Sequence, residues 1–568
     1  TIKNAELKNL KKLENEQEAI ARNPQVFLLP MSDWHLHSID RKAAIDDKPV
    51  RMVWMVSIIG MFVLLLACIN FMNLSTARSE KRAKEVGIRK TIGSMRKQLV
   101  FQFFSESFLV VIFSFIISCV LATLLLPWFN NLSDKEMTLP LNNFYFWLIT
   151  GAFIFITGLL AGSYPALYLS SFKPIKVLKG TFHTGLLASL PRKILVVMQF
   201  TVSVALIICT VVVYRQLQFA RNRPVGYDRE GLIMVDMRSD DFYGKYDLLR
   251  SELFNTGVVS NMSESMGMLT ELVSGNDGFD WKGRNPNKNE SFGTLAVTHE
   301  HGETIGWKFI AGRDFSRKFI SDSSGVVINE AAEKYLELKN PVGEVITWKW
   351  KDNKPVPYTI LGVIKNMVME SPYEAVEPTM FFIKPLNGGV SCINIRVKPG
   401  VTMNTALPRI EAVFKKNIPS VPFEYKFADK EYAQKFATEE RTGKLAGFFA
   451  VLAIFISCLG LFGMASFMTE QRTKEIGVRK VLGASVFNLW SLLSRQFVLL
   501  VVFSFFIAAP IAFYFMNNWL QNYQYRTELS WWIFAAAGSA SLLITLLTVS
   551  FQSIKAAVAN PVKSLRTE

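Results

Sequence analysis

The sequence predicts an α-helical membrane protein with a mixed α/β extracytoplasmic domain. Three observations carry this: seven long apolar segments, basic residues gathered in alternate connecting loops, and one long insertion, residues 217–443, in which β-branched runs alternate with helix-like stretches. Of 568 residues, half are hydrophobic and 13% aromatic. Mean hydropathy is positive. That balance suits a membrane protein with a sizeable soluble part.

The apolar segments run over residues 53–74, 108–128, 144–169, 194–214, 445–468, 497–515 and 531–551. Each is close to or beyond the roughly 20 residues that cross a hydrocarbon layer about 30 Å thick. Helices buried in a soluble core are the alternative, but such length with so little charge argues for spans.

Net charge is +16, which alone would fit a nucleic-acid partner; its distribution excludes that reading. Arg78, Lys81, Arg82, Lys84, Arg89, Lys90, Arg96 and Lys97 lie between the first and second spans. Lys173, Lys176, Lys179, Arg192 and Lys193 lie between the third and fourth, and Arg472, Lys474, Arg479 and Lys480 between the fifth and sixth. Lys555, Lys563 and Arg566 follow the seventh. Short basic loops at alternate ends are the positive-inside pattern. It puts these loops and the C-terminus in the cytoplasm, and residues 1–50, 129–143, 217–443 and 517–530 outside. Trp147, Trp519, Trp531 and Trp532 fall near the outer span ends, where amphipathic rings favour the interface. Four of the five cysteines lie in spans, so Cys392 has no disulfide partner within the outer segment.

Thr1 opens the sequence, and Lys3, Lys8, Lys11 and Lys12 precede Pro24 without the apolar stretch of a signal peptide. Because the charge rule puts this end outside, the expectation is that a spanning helix and most of an outer domain precede it.

The chain also repeats itself at an offset of about 390 residues. Arg82-Ala83-Lys84-Glu85-Val86-Gly87-Ile88-Arg89-Lys90-Thr91-Ile92-Gly93 returns as Arg472-Thr473-Lys474-Glu475-Ile476-Gly477-Val478-Arg479-Lys480-Val481-Leu482-Gly483. The first three spans align with the last three. Lys173-Pro174-Ile175-Lys176-Val177-Leu178-Lys179 parallels Asn560-Pro561-Val562-Lys563-Ser564-Leu565-Arg566, and residues 27–33 faintly resemble 423–429. In helical geometry Val86, Ile88 and Ile92, or Ile476, Val478 and Leu482, give the basic motif a short apolar side. Glu85 and Glu475 stand one turn before Arg89 and Arg479, the spacing of an i,i+4 pair. A membrane-surface helix held by anionic lipid would need charge but no fixed sequence. Near-identical polar and glycine positions in both copies favour docking of a protein.

The insertion reads as α/β. Residues 325–328, 358–364, 392–397 and 422–427 read as strands, 329–336 as a helix capped by Asn329, and 402–416 as a second helix. Residues 430–444 read as helix running into the fifth span.

Catalysis finds no support. No ionisable residue sits at a midplane, which argues against an ion-coupled carrier or channel. The phosphate-binding pattern Gly-x4-Gly-Lys-Ser/Thr is absent; Gly443-Lys444 lacks the upstream glycine and the hydroxyl. His35-Leu36-His37 and His299-Glu300-His301 read as surface histidines, since no further zinc ligands cluster near them.

The chain resembles the FtsX-like and MacB-like permeases of ABC transporters, in the duplicated form found in Bacteroidota-type bacteria. The resemblance rests on the two basic motifs, the phrase 560–566, and in the insertion on Gly312-Arg313-Asp314-Phe315, Val327-Ile328-Asn329-Glu330-Ala331-Ala332, Pro341-Val342-Gly343 and Leu361-Gly362-Val363-Ile364-Lys365-Asn366. It implies two FtsX-like three-helix units plus an additional span. Residues 1–50 would be the remnant of a first periplasmic domain, 51–180 the first FtsX-like unit, 192–216 a single span, 217–443 a MacB-like periplasmic core domain and 444–568 the second unit.

It further implies a mechanotransmission permease of the bacterial inner membrane, with the C-terminus cytoplasmic and the large domain periplasmic, serving efflux or extraction of a substrate. ATPase-coupling residues carry over as Lys84, Glu85, Gly87, Arg89, Lys90, Gly93, Lys474, Glu475, Gly477, Arg479, Lys480 and Gly483. The chain would be no enzyme and hold no cofactor or metal, ATP being bound by a cytoplasmic ABC ATPase in two copies. Membrane lipid and a periplasmic adaptor are the other implied partners, with no nucleic acid. The alternative is a transmembrane scaffold that signals to a periplasmic hydrolase or sensor without transport.

Overall fold

The computed structural model describes Met31 and residues 38–39, 45–46, 48–133, 136–170, 190–272, 274–285, 291–349, 354–383 and 389–558. The readings on 1–30, His35-Leu36-His37, 173–179 and 560–566 lie outside the described residues. Among the described residues, seven helices are long and apolar enough to cross a membrane. The chain divides into two compact units, Thr1–Ser203 with Lys444–Ser504 and Leu542–Glu568, and Val204–Gly443 with Phe505–Ser541.

The first unit opens on two short antiparallel strands, β1 (Ser38–Ile39) and β2 (Ile45–Asp46). Helices α1 (Lys48–Thr91), α2 (Arg96–Ser133) and α3 (Phe144–Ser170) follow, α3 packing on both others. Gly158 and Gly162 leave room on α3 for Phe108 and Phe104 of α2, the small-residue contact that brings helices close where no water drives them together. The first part of α4 (Leu190–Arg221) brings Val196 and Phe200 against Leu461, Phe497 and Val549 from the later helices.

In the second unit, strands β3 (Leu232–Asp236), β4 (Val259–Ser265), β5 (Gly275–Asn276), β6 (Phe279–Trp281), β7 (Phe292–Val297), β8 (Phe309–Gly312), β9 (Gly325–Asn329), β10 (Val345–Trp348), β11 (Val356–Ile364), β12 (Thr379–Ile383), β13 (Cys392–Val397) and β14 (Lys426–Phe427) form one sheet. Its order is β14-β3-β13-β4-β7-β12-β9-β11-β10-β6, with β5 beside β7 and β8 beside β11. β7 with β12 and β9 with β11 are the parallel pairs. Between β4 and β7 the ladder pairs Ser265 with Val297, Met266 N and Thr298 N donate across the same junction to Ala296 O and Glu264 O, and one core cluster runs beneath both sides, from Leu232 and Met234 to Val327 and Phe381. Helices α5 (Tyr246–Asn255) and α8 (Met403–Asn417) cover β3, β13 and β4, burying Leu249, Leu253, Ile410 and Phe414. Between them in sequence lie α6 (His301–Ile305) and α7 (Glu330–Leu336), the latter covering β9, and α9 (Ala428–Gln434) comes after.

The expected strands at 325–328, 358–364 and 392–397 and the helix ending at Leu336 are present. Asn329 Oδ1 accepts from Ala332 N at 2.8 Å, and also from Thr379 N at 3.0 Å. Asn366 Oδ1 accepts from Ala331 N while Glu330 Oε2 accepts from Asn366 N, so the two family-like phrases that carry these residues lock the start of α7 to the end of β11.

Three expectations change. The strand expected at 422–427 shrinks to Lys426–Phe427, because Pro422 has no N–H to donate and Phe423 packs 4.9 Å from Phe414 instead. The helix expected over 430–444 is interrupted: α9 ends at Gln434 and α10 (Ala437–Gln471) begins after a turn that buries Phe436. His301 is wholly buried rather than on the surface. It starts α6, which lies against β4 and β13, and its Nδ1 is 3.2 Å from Ser263 Oγ with Trp307 edge-on. Burial pushes its pKa down to about 3, so the ring is neutral.

The chain continues through α10 into α11 (Thr473–Val481), α12 (Val486–Leu520) and α13 (Trp531–Val558).

Candidate functional site

The repeated basic motif folds into the same elbow twice. α1 ends at Thr91 and Gly93 takes φ +106°; α11 ends at Val481 and Gly483 takes φ +91°. Gly93 N donates to Lys90 O at 3.2 Å and Ser94 N to Arg89 O at 2.9 Å. In the second copy Gly483 N donates to Lys480 O at 3.1 Å and Ala484 N to Arg479 O at 2.9 Å. This is the Schellman arrangement, whose left-handed residue glycine adopts without a Cβ penalty. The glycines therefore stop the helices and turn the chain into α2 and α12.

The copies differ in how the elbow leaves the span. α1 runs unbroken through the motif, whereas α10 ends at Gln471 and α11 starts at Thr473. Thr473 stands where the first copy has Ala83, and its hydroxyl donates to Thr469 O and Glu470 O, the back-bonding that bends helices.

The expected apolar side is not one face. Ile476 is buried with Leu489, Leu493 and Ala557, while Val478 points outward. Residues two apart on a helix lie about 200° apart, so Ile476 and Val478 cannot share a side. The outward pair is Val478 with Leu482, 48% and 80% exposed, and in the first copy Ile88 with Ile92, 48% and 81% exposed. The same apolar pair is offered twice, to the same extent. Met95 and Phe487 are exposed beside them.

Among the charged residues, Glu475 Oε1 and Arg479 Nη2 form the expected i,i+4 pair at 2.8 Å. Arg89 Nη1 donates to Gln102 Oε1 at 2.8 Å, placing it against α2. Lys480 Nζ donates to Ala557 O at 2.7 Å, a cation set against a carbonyl in the last turn of α13. Burial, with Arg96 adding to it, lowers the pKa of Lys90. Gly477 is buried. Lys84, Glu85 and Gly87 lie on α1 and Lys474 on α11, with side chains outside the described residues.

A second constellation, in the other unit, escaped the sequence reading. The loop between α12 and α13 is stitched to the end of α4 and to the α/β domain. Gln216 is 1% exposed; its Nε2 donates to Tyr525 O at 2.9 Å and its Oε1 accepts from Thr527 N at 2.8 Å. Arg223 Nη1 donates to Pro372 O and Glu374 O at 2.8 and 2.7 Å. Tyr525 N donates to Tyr373 O at 2.9 Å, and Gln524 Oε1 accepts from Ala375 N at 2.8 Å. Phe219 stacks on Tyr525 at 4.6 Å, and Tyr373 meets Tyr523 at 5.1 Å. Burial lowers the pKa of Arg223 and raises that of Tyr373. Neither Gln216 nor the Tyr-rich loop carries a motif, so only the alternation of Tyr523 and Tyr525 could have hinted at it. Among the described residues, no group of His, Cys, Asp and Glu is arranged to hold a metal ion.

Seven membrane-length helices, a large α/β domain inserted between the fourth and fifth, and a doubled basic elbow define a multi-pass membrane protein of the permease class. The FtsX-like permease C-terminal family matches residues 57–175 and again 447–561, and the MacB-like periplasmic core domain family matches 195–413. The chain belongs to the FtsX-like permeases of ABC transporters that carry a MacB-like periplasmic core domain.

Among curated relatives, the macrolide export ATP-binding/permease protein MacB of Campylobacter jejuni strain 81-176 is 28% identical over 21% of this chain and 18% of its own. Its namesake in Bdellovibrio bacteriovorus is 27% identical over 25% of this chain and 21% of its own. That of Campylobacter fetus is 26% identical over 34% and 31%. The matches thus span less than a third of each of these relatives. Among solved structures, the periplasmic region of MacB from Actinobacillus actinomycetemcomitans aligns with TM-score 0.27 and 13% identity, over 36% of this chain and 92% of that one. The extracellular domain of the transporter YknZ aligns with TM-score 0.25 and 12% identity, over 34% and 97%.

Proposed function

We propose that this chain is the permease subunit of an ABC transporter that works by mechanotransmission. A separate cytoplasmic ATPase, in two copies, docks on the two elbows through Ile88 and Ile92 in one and Val478 and Leu482 in the other. Lys84, Glu85, Arg89, Lys90, Lys474, Glu475, Arg479 and Lys480 frame those contacts with charge, Gly87 and Gly477 keep the helices slim, and Gly93 and Gly483 set the turn. Hydrolysis shifts the elbows, and α4, α12 and α13 carry the shift toward the junction at Gln216, Arg223 and Tyr525 and so to the α/β domain, on the periplasmic side. The work done there is export or extraction of a substrate; the export named for the MacB relatives supports that side of the choice.

The observation that carries the reading is the equal exposure of the same apolar pair in both copies, 48% and 81% against 48% and 80%. A surface that is apolar, repeated and framed by charge suits a two-fold partner better than lipid, which needs only charge.

The test is recovery of the ATPase with an affinity-tagged chain from its native membranes, the ATPase being recognised by its phosphate-binding loop in mass spectrometry. Ile92→Asp or Leu482→Asp alone should reduce recovery, and the pair together should lose at least 90% of it, about 1.4 kcal/mol. Because both residues are exposed, the chain itself should purify unchanged. Full ATPase recovery with the double variant would sink the docking assignment.

A further inference from the structure

A cavity of about 230 Å³ lies in the α/β domain, between the end of β3 and the segment that joins α8 to β14. Its origin is in the backbone. β3 has β13 along one side, but on the other side β14 covers only Ile233 and Met234. Pro422 has no N–H to extend that ladder, so residues 421–424 arch away from Val235 and Asp236. Phe423 anchors the arch on α8, its ring 4.9 Å from that of Phe414.

The body of the cavity is apolar. Val235 comes from β3, Phe242 from the short 3-10 turn Asp240–Phe242, Phe414 and Ile418 from the end of α8 and just beyond it, and Val421 and Pro422 from the arch. An apolar cavity of about 150 Å³ accepts a benzene ring, so there is room here for a ring with a short chain.

Charge is confined to the mouth. Asp236, Arg238 and Glu424 are the charged residues that line the cavity. Arg238 Nε donates to Asp236 Oδ2 at 3.1 Å and its Nη1 to Glu424 Oε2 at 2.5 Å, with side chains 39–58% exposed. The mouth thus already holds one cation between two carboxylates, and one negative charge is left over. Nearby charges do not cancel it. Asp240 and Asp241 stand in the turn before Phe242, adding to it. Lys415 and Lys416 on α8 are paired with Glu411 and Glu252, Lys426 is paired with Glu431, and Lys245 donates to Asn417 O.

We propose that this cavity binds a small hydrophobic cation. Its ring or branched apolar body sits between Phe242, Phe414 and the arch, and its ammonium or guanidinium head lies at Asp236 and Glu424. An anion of the same skeleton meets the surplus negative charge, and a neutral relative gains the apolar contact alone. The site belongs to the α/β domain and is read without any ATPase, so it stands or falls separately from docking at the elbows.

The test uses the full chain in lipid discs of neutral phosphatidylcholine, with empty discs as the blank. Fluorine NMR follows three probes of one skeleton: a fluorinated phenylpropylammonium ion, the matching phenylpropanol and the matching phenylpropanoate. The expected order of affinity is ammonium, alcohol, carboxylate. The first should exceed the last by about fivefold or more, as a surplus unit charge a few ångströms away gives at an exposed site. Glu424→Gln removes the surplus and should erase most of the ammonium's advantage over the alcohol, whereas Arg238→Gln should enlarge it. Both residues are exposed, so these variants should fold as the wild type does. Val421→Phe fills the cavity from the arch and should weaken all three probes together, its melting temperature reporting whether it has folded; if it has not, the two charge variants decide. No binding above the blank, an order not led by the ammonium, or a preference indifferent to both charge variants overturns the proposal. So does full binding by a folded Val421→Phe chain.

Discussion

The Arg223 guanidinium lies 4.3 Å from the centre of the Tyr525 ring, so the chain just beyond α4 is gripped by the loop that joins α12 to α13. The same side chain donates to two carbonyls of the α/β domain, at Pro372 and Glu374. One residue thereby ties a membrane-length helix, a connecting loop and the soluble domain together.

Replacing Arg223 should loosen that tie. Arg223→Ala removes the ring contact and two charge-assisted hydrogen bonds, a loss of about 2–3 kcal/mol. Arg223→Lys should recover only part, since an ammonium cannot both lie flat on a ring and reach two carbonyls. Hydrogen exchange at the Tyr525 amide, which donates to Tyr373 O, reports the change. Wild-type protection in the lysine variant would mean that the planar stack is not what holds the loop.

The two elbow glycines should be equally intolerant of a side chain. At φ +106° and +91°, Gly93→Ala and Gly483→Ala each force an L-residue into the left-handed region, costing about 1–2 kcal/mol. Nothing lies within 4 Å of a Cβ at either position, so the penalty is conformational rather than steric crowding by neighbours. Asparagine, which tolerates this region, should cost less than alanine at both sites. Thermal unfolding of the four variants measures it; alanine tolerated as well as glycine would show that the elbows do not rely on the left-handed turn.

Asp314 gives the soluble domain a pH dependence. Burial raises its carboxyl from 3.8 to about 6, against the opposing hydrogen bonds from Trp307 Nε1 at 2.8 Å and Phe315 N at 2.7 Å. The folded domain binds this proton more tightly than the unfolded chain. Its stabilising contribution is therefore complete below 3.8 and lost as pH rises through about 6. Asp314→Asn keeps an acceptor for Trp307 without a titrating group. Relative to this variant, the wild-type domain should lose stability between pH 4 and pH 7, followed by tryptophan fluorescence during denaturation. A constant difference between the two across that range would contradict the assignment.

Much of the architecture was readable before any coordinates. The seven spans follow from run length alone, and the strands Gly325–Asn329 and Cys392–Val397 from their β-branched runs. The position of the elbows followed from the repeat, and Asn329 declared itself as a cap by standing before Glu330-Ala331-Ala332. What misled was local pattern without a partner. Ile476 and Val478 look alike in a string of residues, yet one faces Leu489 and the other faces outward. His301 reads as a surface residue until α6 is laid on β4. The junction at Gln216 was invisible because its partners lie some 300 residues away and bind through backbone atoms, which no side-chain pattern announces.

By itself the sequence determined where the chain can enter an apolar layer, which loops carry charge, and that one basic elbow is built twice, because these depend on hydrophobicity, charge and short-range repetition. Only the tertiary structure decided which apolar residue of the elbow is offered outward, that Arg223 grips Tyr525, and that residues 421–424 arch over a cavity beside β3. Those relations arise from the packing of segments distant in the chain, where the direction of a side chain and the space left beneath an arch are set by neighbours that local sequence does not specify.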